Sequence, residues 1–301
     1  MHPAYSIIIF TTLSGLGYGL AVMLGLGFLD PSALPTKIAY VTALALISIG
    51  LLSSLLHLGN PQRAWRALSQ WRSSWLSREG VMAIATFVPL TSNAALCLFI
   101  NRQDGMLGLI TVLGALITVY CTSMIYASLK TVDSWHTRLT PLCFILFSLS
   151  GGTLLAACFA GQNGLPLQVL AMLLLLLALV AKMVWRKRAR TLVPLSTPES
   201  ATGLGGIGTV RLLERPHALD NYLTREMGFR VARKHAEKLW VIAFVSGILL
   251  PVLALLTAMA VGSGAFSVCL MVFAILTHLV GLFVERWLFF AEAKHAVMNY
   301  Y

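Results

Sequence analysis

The sequence predicts an all-α membrane protein, an eight-transmembrane-helix bundle with both termini cytoplasmic, and three observations carry that prediction. Only 11% of the 301 residues are charged while 58% are hydrophobic, with a mean hydropathy of +0.82; this is too little charge to cover a water-soluble globule. Apolar runs long enough to cross a bilayer recur along the whole chain. The Lys and Arg residues fall almost entirely on one side of those runs.

A hydrocarbon layer of about 30 Å and a helical rise of about 1.5 Å per residue require roughly 20 mainly apolar residues per span. Residues 6–28, 38–58, 80–100, 106–129, 141–161, 165–186, 239–261 and 266–290 satisfy that length. Nothing basic precedes the first run and it is long enough to span, so it is expected to remain as a helix and not to act as a cleavable signal. Its Gly15-x-x-x-Gly19 spacing predicts close helix packing. The second run ends at His57, where titratable and aromatic residues suddenly concentrate. Pro89 in the third and Pro251 in the seventh are sites of possible kinks. Cys97, Cys121, Cys143, Cys158 and Cys269 stand alone inside apolar runs, without the Cys-x-x-Cys spacing of a zinc or iron–sulfur site. They read as packing residues. His278, near the middle of the eighth run, reads as a buried imidazole hydrogen-bonded to a neighbouring helix.

With eight spans the termini share a side with the connections 59–79, 130–140 and 187–238. Counting residues at the span ends, 20 of the 22 Lys and Arg lie there, and only Lys37 and Arg102 lie opposite. The positive-inside rule therefore puts that face in the cytoplasm. The net charge of +11 becomes a property of this face, suited to anionic membrane lipids or an acidic partner protein. No nucleic-acid-binding module accompanies it, and no nucleic-acid partner is expected.

Residues 1–301 are read as one integral membrane domain, with 187–238 a long basic cytoplasmic loop within it. That loop follows the run "RKRAR" at 186–190, continues through the Gly/Ser/Thr/Pro-rich "STPESATGLGGIG", and closes with "DNYLTREMGFRVARKHAEKL", a stretch of helix formers predicted to lead as a surface helix into the seventh span. "GLGGIG" at 203–208 matches the Gly-x-Gly-x-x-Gly fingerprint but lacks the strand and helix of a βαβ unit, so it is not read as a nucleotide site. The loop reads as a docking arm. No Walker motif, nucleophile elbow or zinc-binding helix occurs, and any redox metal is expected in other subunits.

"HLGNPQRAWRALSQWRSSWLSREG", residues 57–80, connects the second and third spans. The positive-inside rule and the interfacial aromatic belt account for Arg72 and Trp71. They do not account for His57 and Glu79, each at the membrane edge of a span and joined by a short loop. Quinone reduction takes two electrons and two protons, and a His with a carboxylate supplies the required proton exchange. Trp65 and Trp75 can sandwich the quinone head, and Arg63 or Arg66 can stabilise a developing oxyanion. A haem between His57 and His278 is disfavoured because the two lie at different depths. A transporter would show internal repeats or polar groups at mid-membrane, and neither is evident; a purely structural anchor would use the same loop only for docking.

"SSLLHLGNPQRAWRA" followed by "SSWLSREG" resembles the membrane-anchor family of dimethyl sulfoxide reductase, the integral subunits of three-subunit molybdopterin enzymes. "YASLKTVDSWHTRLTP" at 126–141 with "SGGTLL" is similar to that family's fourth loop and fifth helix, and "ERWLFFAEAKH" at 285–295 is a weaker match. The resemblance implies a bacterial inner-membrane subunit that exchanges electrons between quinone (ubiquinone or menaquinone) and an iron–sulfur electron-transfer subunit, which in turn links to a molybdopterin catalytic subunit. It assigns the quinone site to His57 and Glu79, with Arg63 and Tyr126 on matched positions. The sequence departs from the pattern in its longer basic loop and in its charge bias, which puts the His-Leu-Gly loop in the cytoplasm. That combination is more similar to the anchor of the cytoplasmic, membrane-bound sulfite-oxidising branch, and implies electrons passing from sulfite to quinone. Quinol oxidation for a sulfoxide or related reductase is the alternative.

Overall fold

The computed structural model describes residues 4–56, 60–194, 196–211, 213–214, 231–262 and 264–300. The described residues are helical, without a strand. Helix α1 (Tyr5–Gly25) and α2 (Leu34–Leu55) form the first hairpin, followed by a 3-10 segment, Pro61–Gln70. Then come α3 (Trp75–Ile100), α4 (Gly105–Ala127), α5 (Leu139–Phe159) and α6 (Leu165–Thr191). A short α7 (Pro198–Thr202) precedes α8, which runs from Val231–Phe244 through a π turn at Val245–Leu249 into Leu250–Val261, and α9 (Ala265–Ala291) completes the bundle. All eight predicted spans are present among the described residues as helices long and apolar enough to cross a membrane.

Three boundaries differ from the sequence prediction by about five residues or more. Helix α3 starts at Trp75 and not at residue 80, because the Ser74 side chain caps it by accepting from the Ser77 N–H. This moves Glu79 from the loop edge into the helix. Helix α6 continues through the basic run to Thr191, since Lys and Arg are good helix formers and suit the negative end of the helix dipole. Helix α8 already exists at Val231, so the end of the predicted surface helix is continuous with the span; residues 215–230 lie outside the described residues. Within 203–208 the backbone makes only a 3-10 turn, Leu204–Gly206.

Helix α1 forms the centre and packs on α2, α4, α5 and α9. In its most apolar window 78% of residues are buried, against 28% in α9, so α1 touches protein where α9 faces outward. Close approach to α5 depends on two glycines. A Cβ on Gly19 would lie 1.8 Å from the Ser148 carbonyl oxygen, and one on Gly152 would lie 2.0 Å from the Gly19 backbone. Gly15, predicted to share this role, instead has nothing within 4 Å of its Cβ position; its carbonyl accepts from Ser148 Oγ at 2.6 Å. Gly152→Ala is therefore expected to destabilise the bundle by about 1–3 kcal/mol through overpacking, and Gly15→Ala to change little. Thermal unfolding in detergent checks the pair, and equal midpoints would contradict the assigned packing.

Pro251 has a specific consequence. It lacks the N–H that an α-helix would direct at the carbonyl of Gly247, and His278 Nδ1 lies 2.6 Å from that oxygen. The predicted cross-helix hydrogen bond of His278 is thus present, with Gly247 and Gly281 in backbone contact beside it. Cys97, Cys121 and Cys143 are buried and all five cysteines are free.

Candidate functional site

Glu79 lies in the first turns of α3 and is 4% exposed. Its carboxylate accepts a hydrogen bond from Thr122 Oγ1 on α4 at 2.5 Å, and it forms no ion pair among the described residues. The nearest cation in sequence, Arg78, is directed elsewhere: it donates to the carbonyls of Trp71 (3.0 Å) and Arg72 (2.7 Å) and lies 4.2 Å over the Trp75 ring. A buried carboxyl without a cation is costly for a residue with only a structural role.

The other predicted residues are distributed as follows. Arg63, Trp65 and Arg66 stand exposed on the 3-10 segment, with the Arg66 guanidinium 5.5 Å from the Trp65 ring. That segment lies over the start of α3, close enough that a Cβ on Gly80 would meet Leu68 at 2.8 Å. Trp75 is half-buried, edge-on to Tyr120, and one of its faces carries Arg78. Tyr126 is buried four residues after Thr122, on the same face of α4, among Trp135, Phe144, Phe289 and Phe290. His57 lies outside the described residues.

The stretch 126–141 encloses this aromatic cluster. Trp135 is 2% exposed and donates to the Phe289 carbonyl at 3.0 Å. Thr140 donates to the Trp135 carbonyl at 2.8 Å and accepts from Trp185 Nε1 at 3.2 Å. The segment between α4 and α5 thereby ties α4, α6 and α9 together at one end of the bundle.

Sequence reasoning missed a second buried group at the same end. Lys182 Nζ lies 2.6 Å from Glu285 Oε1, their side chains only 10% and 8% exposed. Arg286, 4% exposed, has its Nε 3.6 Å from Glu285 Oε2 and its guanidinium 3.7 Å over Phe144. Arg186 is also buried; it bonds to Glu237 at 3.0 Å and lies 4.4 Å over Trp240. In the sequence Lys182, Arg186 and Arg286 count with the positive flanks, yet all three are inside protein. The signal available was their position within apolar runs, where ionisable residues lean towards a functional role.

Between the Glu79 group and Arg286 lies a cavity of about 20 Å³, walled by α1, α4, α5 and α9 and including Thr12, Tyr18, Thr122, Ser148 and Arg286. It has room for about one water and excludes a quinone ring.

Fold and site describe a polytopic membrane subunit with titratable groups concentrated at one end of its helices. The DMSO reductase anchor subunit (DmsC) family matches residues 1–291, and the protein belongs to that family. It is 32% identical to a sulfite dehydrogenase subunit of Allochromatium vinosum, over all of its own length and 99% of that relative. It is 29% identical to one chain of the anaerobic dimethyl sulfoxide reductase of Escherichia coli, over 46% of its own length and 50% of the relative. The Haemophilus influenzae relative of the same name is 31% identical, over 40% of this protein and 43% of that one.

Proposed function

We propose that this protein is the quinone-reactive membrane anchor of a three-subunit molybdopterin and iron–sulfur oxidoreductase, passing electrons from sulfite oxidation to the quinone pool. The observation that carries this reading is Glu79, a buried carboxyl near one membrane edge, held by a single hydroxyl and without an ion-pair partner among the described residues. A bound quinone takes up two electrons and two protons. Glu79 would exchange a proton with it, together with His57, while Arg63 or Arg66 stabilises negative charge and Trp65, Trp75 and Tyr126 supply aromatic surface. The cavity behind Thr122 is too small for the ring, so the head group would meet Glu79 from the loop side of α3.

The full-length likeness to a sulfite dehydrogenase subunit, against half-length likenesses to sulfoxide reductase chains, favours sulfite as the electron source. The charge bias favours a bacterial inner-membrane protein whose partners dock on the cytoplasmic face, with 187–238 as a basic docking arm in a single membrane domain. Affinity purification of the full-length protein from its native membranes is expected to bring down a molybdopterin subunit and an iron–sulfur subunit, with sulfite-dependent reduction of a quinone analogue. A preparation that reduces a sulfoxide with quinol and ignores sulfite would establish the reverse reading. Reporter fusions after Arg102 and Gly262 are expected to report the periplasm, and fusions within 190–235 the cytoplasm; the opposite pattern would overturn the orientation.

A further inference from the structure

We propose that a cleft at the end of the bundle opposite Glu79, between α5, α6, α8 and α9, is a binding site for one glycerophospholipid. The site stands apart from the quinone reading, since none of its residues belongs to the Glu79 group.

The cleft has a volume of about 550 Å³, within the range of sites that hold organic ligands. It exists because four helix ends meet there with little side-chain bulk between them. Helix α5 passes to α6 through a 3-10 turn, Gly161–Gly164, and α8 passes to α9 around Gly262. Gly161 and Gly262 have positive φ angles of 56° and 79°, and a Cβ on Gly161, Gly262 or Gly264 would meet nothing within 4 Å. Ala157 and Ala258 contribute only methyl groups to the walls. These turns therefore leave the cleft open.

Two polar side chains line this space, Gln168 in the first turn of α6 and Ser267 in the first turn of α9. Each is 8% exposed, and neither side chain has a hydrogen-bond partner among the described residues. Buried polar groups are nearly always satisfied, so a ligand with hydrogen-bond acceptors answers what the protein does not supply. Both helices also begin without a side-chain cap. The N–H groups of a first helical turn point beyond the helix end, where they favour anionic oxygens such as those of a phosphate.

Depth and chemistry together define the ligand. A first-turn residue lies within about 5 Å of its helix end, and the interfacial layer extends about 5–7 Å beyond the hydrocarbon on each side. That is the level of a phospholipid's phosphate and ester groups. Ester carbonyls accept hydrogen bonds and never donate, which matches the Gln168 amide and the Ser267 hydroxyl as donors. Below them Leu165, Met259, Val268 and Met271 offer apolar surface to the acyl chains. Among the described residues no Asp, Glu, Lys, Arg or His lines the cleft. It therefore lacks the acid–base groups that quinone reduction needs.

The test uses the complete assembly purified in detergent, with native mass spectrometry counting the phosphatidylethanolamine that stays bound as the lipid is added in graded amounts. One tightly held molecule per copy of this chain is expected. Gln168→Leu keeps the approximate size and removes the donor; it is expected to weaken retention about fivefold, the scale of one hydrogen bond. Ala258→Trp fills the cleft and is expected to abolish retention. Electron transfer to a quinone analogue reads the opposite end of the bundle, and its rate is expected to be unchanged in both variants. If Ala258→Trp does not assemble, Gln168→Leu and Ser267→Ala decide the matter. Wild-type retention in both of these would overturn the site and leave the cleft a water-filled gap. Displacement of the lipid by a quinone analogue, or by glycerol phosphate without acyl chains, would overturn the ligand assigned.

Discussion

Glu79→Gln is expected to slow electron transfer to a quinone analogue by about 10²-fold or more, the scale of lost general acid–base assistance, while electron flow to a soluble acceptor that draws on the partner subunits keeps its rate. Gln matches Glu in size, and its amide oxygen can still accept from Thr122, so the α3–α4 contact at 2.5 Å is retained in kind. What disappears is the exchangeable proton. Two assays on one preparation separate chemistry from architecture. Unchanged quinone activity in an intact assembly would put the site elsewhere. Loss of both activities would mean that Glu79 serves only to hold α3 against α4.

Lys182→Met is expected to produce a large loss of stability, about 3 kcal/mol, because it removes the closer partner of a buried carboxylate and leaves Glu285 only the longer contact with Arg286 at 3.6 Å. The pair is short, 2.6 Å, and both side chains are about nine-tenths covered. The loss also removes the cation 3.9 Å over the Trp185 ring. In Lys182→Met/Glu285→Gln the Lys182–Glu285 contact is lost only once, so the loss in the double variant is expected to be smaller than the sum of the two single losses. Thermal unfolding of the four members of this cycle in detergent measures the coupling. Additive losses would show that the two residues act independently and would remove Glu285 from its paired role. Full recovery is not expected, since Arg286 keeps its place over Phe144 and loses its nearest anion.

The residues of the proposed quinone site were legible in the sequence to different degrees. Glu79 stood out as a carboxylate beside a span, but its burial depends on the Ser74 cap, which draws residues 75–79 into α3, and on Thr122, forty-three positions away in the sequence. Tyr126 was legible only through family resemblance, and the structure puts it in a ring cluster drawn from α4, α5, α9 and the intervening loop. Arg63, Trp65 and Arg66 belong, as expected, to the connection between spans, and they are exposed there. The aromatic sandwich expected of Trp75 meets a competitor in Arg78, which already covers one face. Gly15 and Gly19 share one motif, yet only Gly19 touches a backbone.

By itself the sequence determined that this protein is a bundle of eight membrane-crossing helices and a member of the sulfoxide reductase anchor family. Both follow from local properties: a span is a matter of length and summed hydropathy, and the family is carried by contiguous motifs. Only the tertiary structure decided that Lys182 and Arg286 meet at Glu285 and that Tyr18, Thr122 and Arg286 share one cavity. It also decided that the carbonyl above Pro251 is met by His278. Each of these pairings depends on which faces of separate helices come together, and a helix embedded in lipid can be apolar on every side, so its sequence carries almost no period to say which face turns inward.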